Sequence, residues 1–290
     1  MAKPTQTPPA GLSIIAGGGD LPIAVARAAE ASGRPLHIFA ISGAASYAVE
    51  AYPHSWINFG HIGKILSVSR AKNCRDLVIA GAVRRPRLRD LRLDFGALVN
   101  LPSLLGWTVG GDNSVLAGII GFFESKGFTV IGAHEIAPDL LAGKKIFTKR
   151  KPNKTDKADI AIGLKVIDAL GALDVGQAAV VANQYVLAVE AAEGTDLMLE
   201  RCRDLNTWWK SGGRKRSGVL VKCAKPGQER RIDLPTVGPG TVRLAAEAGL
   251  AGIAIAAHDV LVLNCEEFVQ SANEAGLFVV GVSPVAEIPE

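Results

Sequence analysis

Short apolar runs, each closed by a glycine-containing turn and followed by a helical stretch, recur along the first half of this chain. Residues 12–16 form one such run, followed by Gly17, Gly18, Gly19, Asp20, Leu21 and Pro22, then a helical stretch over 23–32 that Gly33 ends. Residues 36–41 read as a second strand, 61–73 as a helix, and 77–80 as a third strand ending at Gly81. An apolar helix over 115–126 stops at Gly127, and 128–131 is a fourth strand. Strands joined in this way through helices cannot be hairpin partners; they demand crossovers and a parallel sheet covered on both faces. The expectation is a Rossmann-like, doubly wound, mostly parallel α/β domain over residues 11–138, behind a flexible tail at 1–10.

Composition changes over 139–157, where Lys144, Lys145, Lys149, Arg150, Lys151, Lys154 and Lys157 surround Pro152 and Asn153. Such a stretch reads as a basic linker. Beyond it come a helix at 158–169 and strands at 178–182, 185–190 and 218–223. Helices follow near 196–210 and 241–248, then a strand at 252–256, a helix near 265–275 and a last strand at 277–282. Only Asn183 and Gln184 separate the first two of these strands, a hairpin signal. The second domain, 158–290, is therefore expected to be α/β with a mixed sheet.

The balance of residues removes several function classes. A net charge of +4 in 290 residues suits anionic small molecules and falls short of a nucleic-acid footprint. Aromatics are 6% and do not interleave with basic residues, so stacked bases have no platform. Cys74, Cys202, Cys223 and Cys265 show no metal or disulfide spacing, which points to a reducing compartment. The first ten residues lack an apolar core, and no run approaches the ~18 residues of a membrane span, so a cytoplasmic protein is expected. Neither the serine elbow G-x-S-x-G nor the phosphate loop G-x-x-x-x-G-K-[ST] occurs. The five histidines show no metal spacing and read as core or surface residues.

The densest chemistry lies at 222–235, where Lys222, Lys225, Arg230, Arg231 and Asp233 follow the apolar run 218–221. Cations crowded at a strand end can hold a diphosphate, with Asp233 as metal ligand or water-orienting carboxylate. The alternative is a solvated charged loop. Gly17, Gly18, Gly19 and Asp20 form a turn whose N–H groups suit a phosphate at a helix start, or simply a tight turn. No acid ends the second strand (Ile41, Ser42, Gly43), which counts against a dinucleotide ribose. Gly81 and Arg85 sit where open α/β sheets bind ligands, as phosphate clamp or surface turn. Asp112 or Asn113 reads as a cap for the next helix.

Gln177 precedes the strand at 178–182, and Glu190, Glu193, Thr195 and Asp196 follow its partner. Three carboxylates around a glycine turn suit Mg²⁺ or a ribose, while Thr195 or Asp196 would otherwise cap the following helix. The apolar segment 94–107, ending in Trp107 and flanked by Arg84, Arg85, Arg87, Arg89 and Arg92, reads as core-covering loop or as a seat for acyl chains at an anionic lipid surface.

Read in order, IAGGGDLP (15–22), HIGK (61–64), AGAVRRP (80–86), GGDN (110–113), LDVGQAAVV (173–181), VLAVEAAEGTD (186–196), VLVKCAKPGQERRIDLPTVG (219–238) and AGLAGIAI (248–255) resemble one family. It is the UDP-2,3-diacylglucosamine pyrophosphatase of lipid A biosynthesis, in the form that replaces the calcineurin-like phosphoesterase in some Gram-negative bacteria. The family usually has Asp where this chain has Asn113 and Glu229. The resemblance implies a two-domain Mg²⁺ enzyme that splits UDP-2,3-diacylglucosamine into UMP and 2,3-diacylglucosamine 1-phosphate (lipid X). Water would be directed at the sugar-side phosphorus. In that frame Asp233, Lys222, Lys225 and Arg231 are the catalytic set, with Asp233, Asp196 and Glu193 toward the metal. Gly17, Gly18, Gly19, Asp20, Gly81, Arg85, Gln177 and Thr195 would bind substrate. Transient contact with the inner face of the inner membrane is expected, with room for a homo-oligomer and none for nucleic acid. The rivals are a nicotinamide-dependent oxidoreductase and a non-catalytic nucleotide- or lipid-binding protein.

Overall fold

A computed structural model describes residues 10–83, 94–99, 112–205 and 216–283. The chain divides into two compact units, Met1–Pro138 with Glu229–Ile232, and Asp139–Gln228 with Asp233–Glu290.

In the first unit, β1 (Gly11–Ala16) leads through the glycine turn to α1 (Leu21–Ala31), with Pro22 in the first helical turn as its fixed φ favours. There follow β2 (Leu36–Ile41), β3 (His54–Ile57), α2 (Ile62–Ala71), β4 (Cys74–Ala80), α3 (Phe95–Val99), α4 (Asp112–Ser125), β5 (Thr129–Val130) and α5 (Ala133–Ile136). The sheet runs β3-β2-β1-β4-β5 with every neighbouring pair parallel. β1 is buried along its whole length, as a central strand covered on both faces must be. Strand β3 was not expected. Its sequence, HSWI, is mostly half-buried at a sheet edge and carries no apolar run. Phe39, Ile65, Leu77, Phe122, Phe123 and Phe128 pack into this unit's core, and Ile232 packs against it. Asp94 joins two helix starts: its carboxylate accepts from Gly63 and Lys64 N–H at 3.0 and 2.9 Å, and from Ala97 N–H at 2.8 Å.

The second unit is built from α6 (Lys154–Gly171), β6 (Ala178–Ala182), β7 (Tyr185–Val189), α7 (Gly194–Asp204), β8 (Val219–Lys222), β9 (Thr236–Val237), α8 (Pro239–Glu247), β10 (Gly252–Ala256), β11 (Leu261–Val262), α9 (Cys265–Glu274) and β12 (Phe278–Val282). Helix α6 starts four residues before the expected 158, because Asn153 and Asp156 cap it reciprocally, Asn153 Oδ1 accepting from Asp156 N–H at 3.0 Å and Asp156 Oδ2 from Asn153 N–H at 2.9 Å. The basic stretch ahead of it bonds to this unit: Ala142 N–H donates to Val260 O at 2.9 Å and Phe147 N–H to Val279 O at 3.0 Å.

The main sheet runs β12-β10-β8-β6-β7. β12, β10 and β8 are parallel, while β6 is antiparallel to both β8 and β7. The mixed sheet matches expectation, and the hairpin explains it. Asn183 and Gln184 have φ of 51° and 65°, the left-handed pair that a tight two-residue hairpin requires. The buried Asp159 of α6 accepts both turn amides, at 3.1 and 2.6 Å. A second, two-stranded sheet pairs β9 with β11 in parallel; strands of two residues leave no periodic trace in sequence.

Candidate active site

Lys222 ends β8, between Ala178 of β6 and Ile255 of β10, at the carboxyl edge of the parallel strands. Its side chain is buried, and Nζ donates to Thr195 Oγ1 at 2.7 Å. The Thr195 hydroxyl donates in turn to Glu190 Oε1 at 2.9 Å, and Glu190 Oε2 accepts from Gln177 N–H at 3.0 Å. Burial pulls the Lys222 pKa below the ordinary lysine value, and the charges of Glu190, Asp196 and Asp233 act in the opposite sense. Thr195 therefore does not cap α7. Glu193 occupies that helix's N-cap without a side-chain cap bond, and the threonine hydroxyl faces the buried lysine.

Asp233 is gripped by two amides. Gln177 Nε2 donates to its Oδ2 at 3.0 Å and Gln228 Nε2 to the same oxygen at 2.6 Å; Gln228 Nε2 also meets the Asp233 carbonyl. Lys225, Pro226, Gly227 and Gln228 make the tight turn that brings Gln228 there: Gly227 has φ of 73°, and Gln228 N–H donates to Lys225 O at 3.2 Å. Gln228 Oε1 accepts back from Lys225 N–H at 2.7 Å. Lys225 Nζ reaches Asp174 Oδ1 at 2.6 Å. Lys222, Lys225 and Gln228 are buried while Pro226, Gly227 and Arg230 are exposed, so the bend is only in part the solvated loop that its charge allowed. Gly176 completes the arrangement. Its φ is 55°, and a Cβ there would run into the Glu190 carbonyl, so only glycine lets the 174–177 turn lie against the end of β7.

Arg231 belongs with the first unit. Its guanidinium forks onto Glu229, Nε to Oε1 and Nη2 to Oε2 both at 2.9 Å, and Nη1 reaches Glu124 Oε1 at 2.9 Å. These contacts push the Arg231 pKa upward, Glu229 first, and the same hydrogen bonds hold the Glu229 carboxyl below the usual range.

The three acids expected around a metal are not gathered. Glu193 is exposed and pairs with Arg201 at 2.7 Å. Among the described residues no three of His, Cys, Asp and Glu form a group that could hold a metal ion. Asp196 and Asp233 nevertheless both act on Lys222.

In the first unit the turns after β1 and β4 are zipped together. Gly17 N–H donates to Ala80 O at 2.8 Å, Gly18 N–H to Ala82 O at 2.7 Å, and Ala82 N–H back to Gly18 O at 3.0 Å. A Cβ on Gly17 would stand 2.7 Å from the Ala82 and Gly81 carbonyl oxygens, and one on Gly81 2.6 Å from Gly18 O. Two of the N–H groups expected to face phosphate are thus engaged by carbonyls. Gly19, with φ of 83° and open space where a Cβ would stand, and Asp20, at the α1 N-cap without a side-chain bond, remain at the helix start. Arg85, with the rest of 84–93 and the apolar stretch 100–107, lies outside the described residues. Helix α4 begins at Asp112.

Sequence reasoning passed over Gln228. The pattern Lys-Pro-Gly-Gln signals its turn, but nothing in the pattern says that the glutamine folds back onto Asp233.

Comparison with known proteins bears on both halves of the chain. Residues 11–140 match the family model described as LpxI N-terminal domain, and residues 143–280 match the LpxI C-terminal domain. The chain is 41% identical over 273 residues, 94% of its own length and 98% of the relative's, to a Caulobacter vibrioides protein named UDP-2,3-diacylglucosamine pyrophosphatase LpxI. With each half matched to its own domain in the same order, this chain belongs to the LpxI family.

Proposed function

We propose that this chain hydrolyses the diphosphate of UDP-2,3-diacylglucosamine, releasing UMP and 2,3-diacylglucosamine 1-phosphate in lipid A biosynthesis. The name carried by its relative supports the substrate and the reaction class. The structural observation that carries the reading is the buried ammonium of Lys222, which meets a hydroxyl at 2.7 Å and lies in the field of three carboxylates. Burying a cation is costly without compensating charge. Here Glu190, Asp196 and Asp233 supply it, and they keep an ammonium ready at the strand edge where charge would develop on a diphosphate as the anhydride splits.

Lys222 and Lys225 are the cations of this unit that would counter the developing charge, and Thr195 and Gln177 would touch the phosphates. Asp233, oriented by the Gln177 and Gln228 amides, would position the attacking water toward the sugar-side phosphorus. In the first unit, Gly19 and Asp20 at the α1 start are the groups left to take an anionic ligand.

Mg²⁺ suits the donor set, because it takes one or two carboxylates beside phosphate oxygens and waters. Asp233 and Asp196 are the carboxylates that would hold it; Glu193 would join only by giving up Arg201. When bound, the ion would neutralise phosphate charge and acidify water. Among the described residues no helix is long and apolar enough to cross a membrane. Transient contact with the inner face of the inner membrane would bring the chain to an acylated substrate.

The test is to incubate the purified full chain with UDP-2,3-diacylglucosamine and Mg²⁺ in ¹⁸O-water and analyse products by mass spectrometry. UMP and lipid X should appear, with the heavy oxygen in lipid X. Tight binding without UMP release would sink the hydrolase reading, and heavy oxygen in UMP would reassign the attacked phosphorus.

A further inference from the structure

Glu190 lies in the same cluster as the groups assigned above, yet it neither ends a cationic loop nor faces outward. It is buried at the exit of β7, and its two oxygens serve different partners. Oε1 accepts the Thr195 hydroxyl at 2.9 Å, and Oε2 accepts the Gln177 N–H at 3.0 Å. Each partner leads to a different member of the proposed machinery. The Thr195 oxygen receives Lys222 Nζ at 2.7 Å, and the Gln177 side chain grips Asp233 at 3.0 Å. The backbone fixes Glu190 itself: its N–H donates to Ala178 O at 2.9 Å, and its carbonyl faces Gly176.

The directions of these bonds follow from the donors present. An ammonium has only protons to give, so the Thr195 oxygen must accept from Lys222. Its single proton then goes to Glu190. The backbone N–H of Gln177 also only donates. Glu190 therefore has to accept at both oxygens, which an ionised carboxylate does and an amide cannot. Asp196 and Asp233 also act on Lys222 electrostatically. What distinguishes Glu190 is a bonded path, through one hydroxyl, to the cation and, through one backbone amide, to the residue holding Asp233.

We infer that Glu190 is a positioning residue. Its carboxylate sets the Lys222 ammonium through Thr195 and the Gln177 amide through the backbone, so that cation and acid are preset relative to one another before substrate arrives. The inference rests on the reading of this site as a diphosphate hydrolase. In its structural content, however, it is independent of turnover. Preorganisation of this kind belongs to residues that touch no substrate but lock those that do.

The experiment uses the full chain and Glu190→Gln, which keeps shape and removes one acceptor. Its kcat/KM on UDP-2,3-diacylglucosamine should fall roughly 10- to 100-fold, the scale of one hydrogen bond to a charged group. In the background of Lys222→Ala, Glu190→Gln should cost less than it does alone, since the path through the cation is gone and only the path through Gln177 to Asp233 remains. Full additivity, or a single-variant kcat/KM within twofold of the parent, overturns the inference. If Glu190→Gln does not fold, Thr195→Val and Thr195→Ser decide it. Valine breaks the path and serine restores it, so equal activities in the two variants overturn the inference. Crystal structures of parent and variant give a readout without substrate. With one acceptor left, Glu190→Gln should lose either the Thr195 or the Gln177 contact and shift Lys222 Nζ or the Gln177 side chain, and a structure in which both stay in place refutes the positioning role even if the parent proves inactive on the proposed substrate.

Discussion

Lys225 Nζ and Asp174 Oδ1 lie 2.6 Å apart, joining a lysine side chain 7% exposed to an aspartate 30% exposed. Removing the aspartate leaves a nearly buried ammonium without its carboxylate, while the aspartate's own exposure tempers the loss. Asp174→Asn should destabilise the protein by about 1–3 kcal/mol. Urea denaturation measures it; a change under about 0.5 kcal/mol, the usual range for surface sites, would mean that water already screens the pair.

Asp233 should be separable from folding. Asp233→Ala keeps the backbone turn made by residues 225–228 and should retain substrate binding, while turnover falls by about 10³-fold or more, the scale seen when an electrostatic group is removed. Circular dichroism, equilibrium binding and initial rates measured together give the answer. Turnover within tenfold of the parent would move the role to another residue.

The zipped glycine turns make a prediction about stability rather than catalysis. Gly81 has φ of 92° and stands where a Cβ would approach the Gly18 carbonyl oxygen to 2.6 Å. Gly81→Ala should cost about 1–3 kcal/mol from the strained backbone and the close approach. Gly19→Ala should cost less, because only its φ of 83° opposes it and the space above is open. Equal losses, read from paired thermal melts, would show that the contact between the two turns yields easily.

Glu229 supplies a pH dependence of definite sign. The Arg231 hydrogen bonds hold its carboxyl below the ordinary range, so the unfolded chain binds this proton more readily than the folded one. The stabilisation is complete above the unfolded glutamate value of about 4.3 and disappears as pH falls through the depressed folded value. Acidification through that interval should lower the melting temperature of the parent more than that of Arg231→Ala. Parallel curves for the two proteins would remove Glu229 from the acid response.

Fold class was legible because short apolar runs and glycine stops report on buried parallel strands, and two residues between strands announce a hairpin. What stayed hidden has a common cause. β3 sits half-buried at an edge, and β9 and β11 are two residues long, so none carries enough periodicity to register. In the site, the cations and Asp233 stood out by charge, whereas Gln228 and Glu190 matter through where their side chains turn, which spacing does not encode. Thr195 shows the converse: its place at a helix start suggested a cap, but a buried lysine competes for the same hydroxyl.

The hairpin turn held by Asp159 has a reach beyond its own residues. β7 begins at that turn and delivers Glu190 at its other end, about 17 Å away for five residues of strand. Side chains alternate faces along a strand, so a slip of one residue would swing the glutamate to the opposite side of the sheet. Damage at Asp159 would be felt as misplaced charge at the far end of β7.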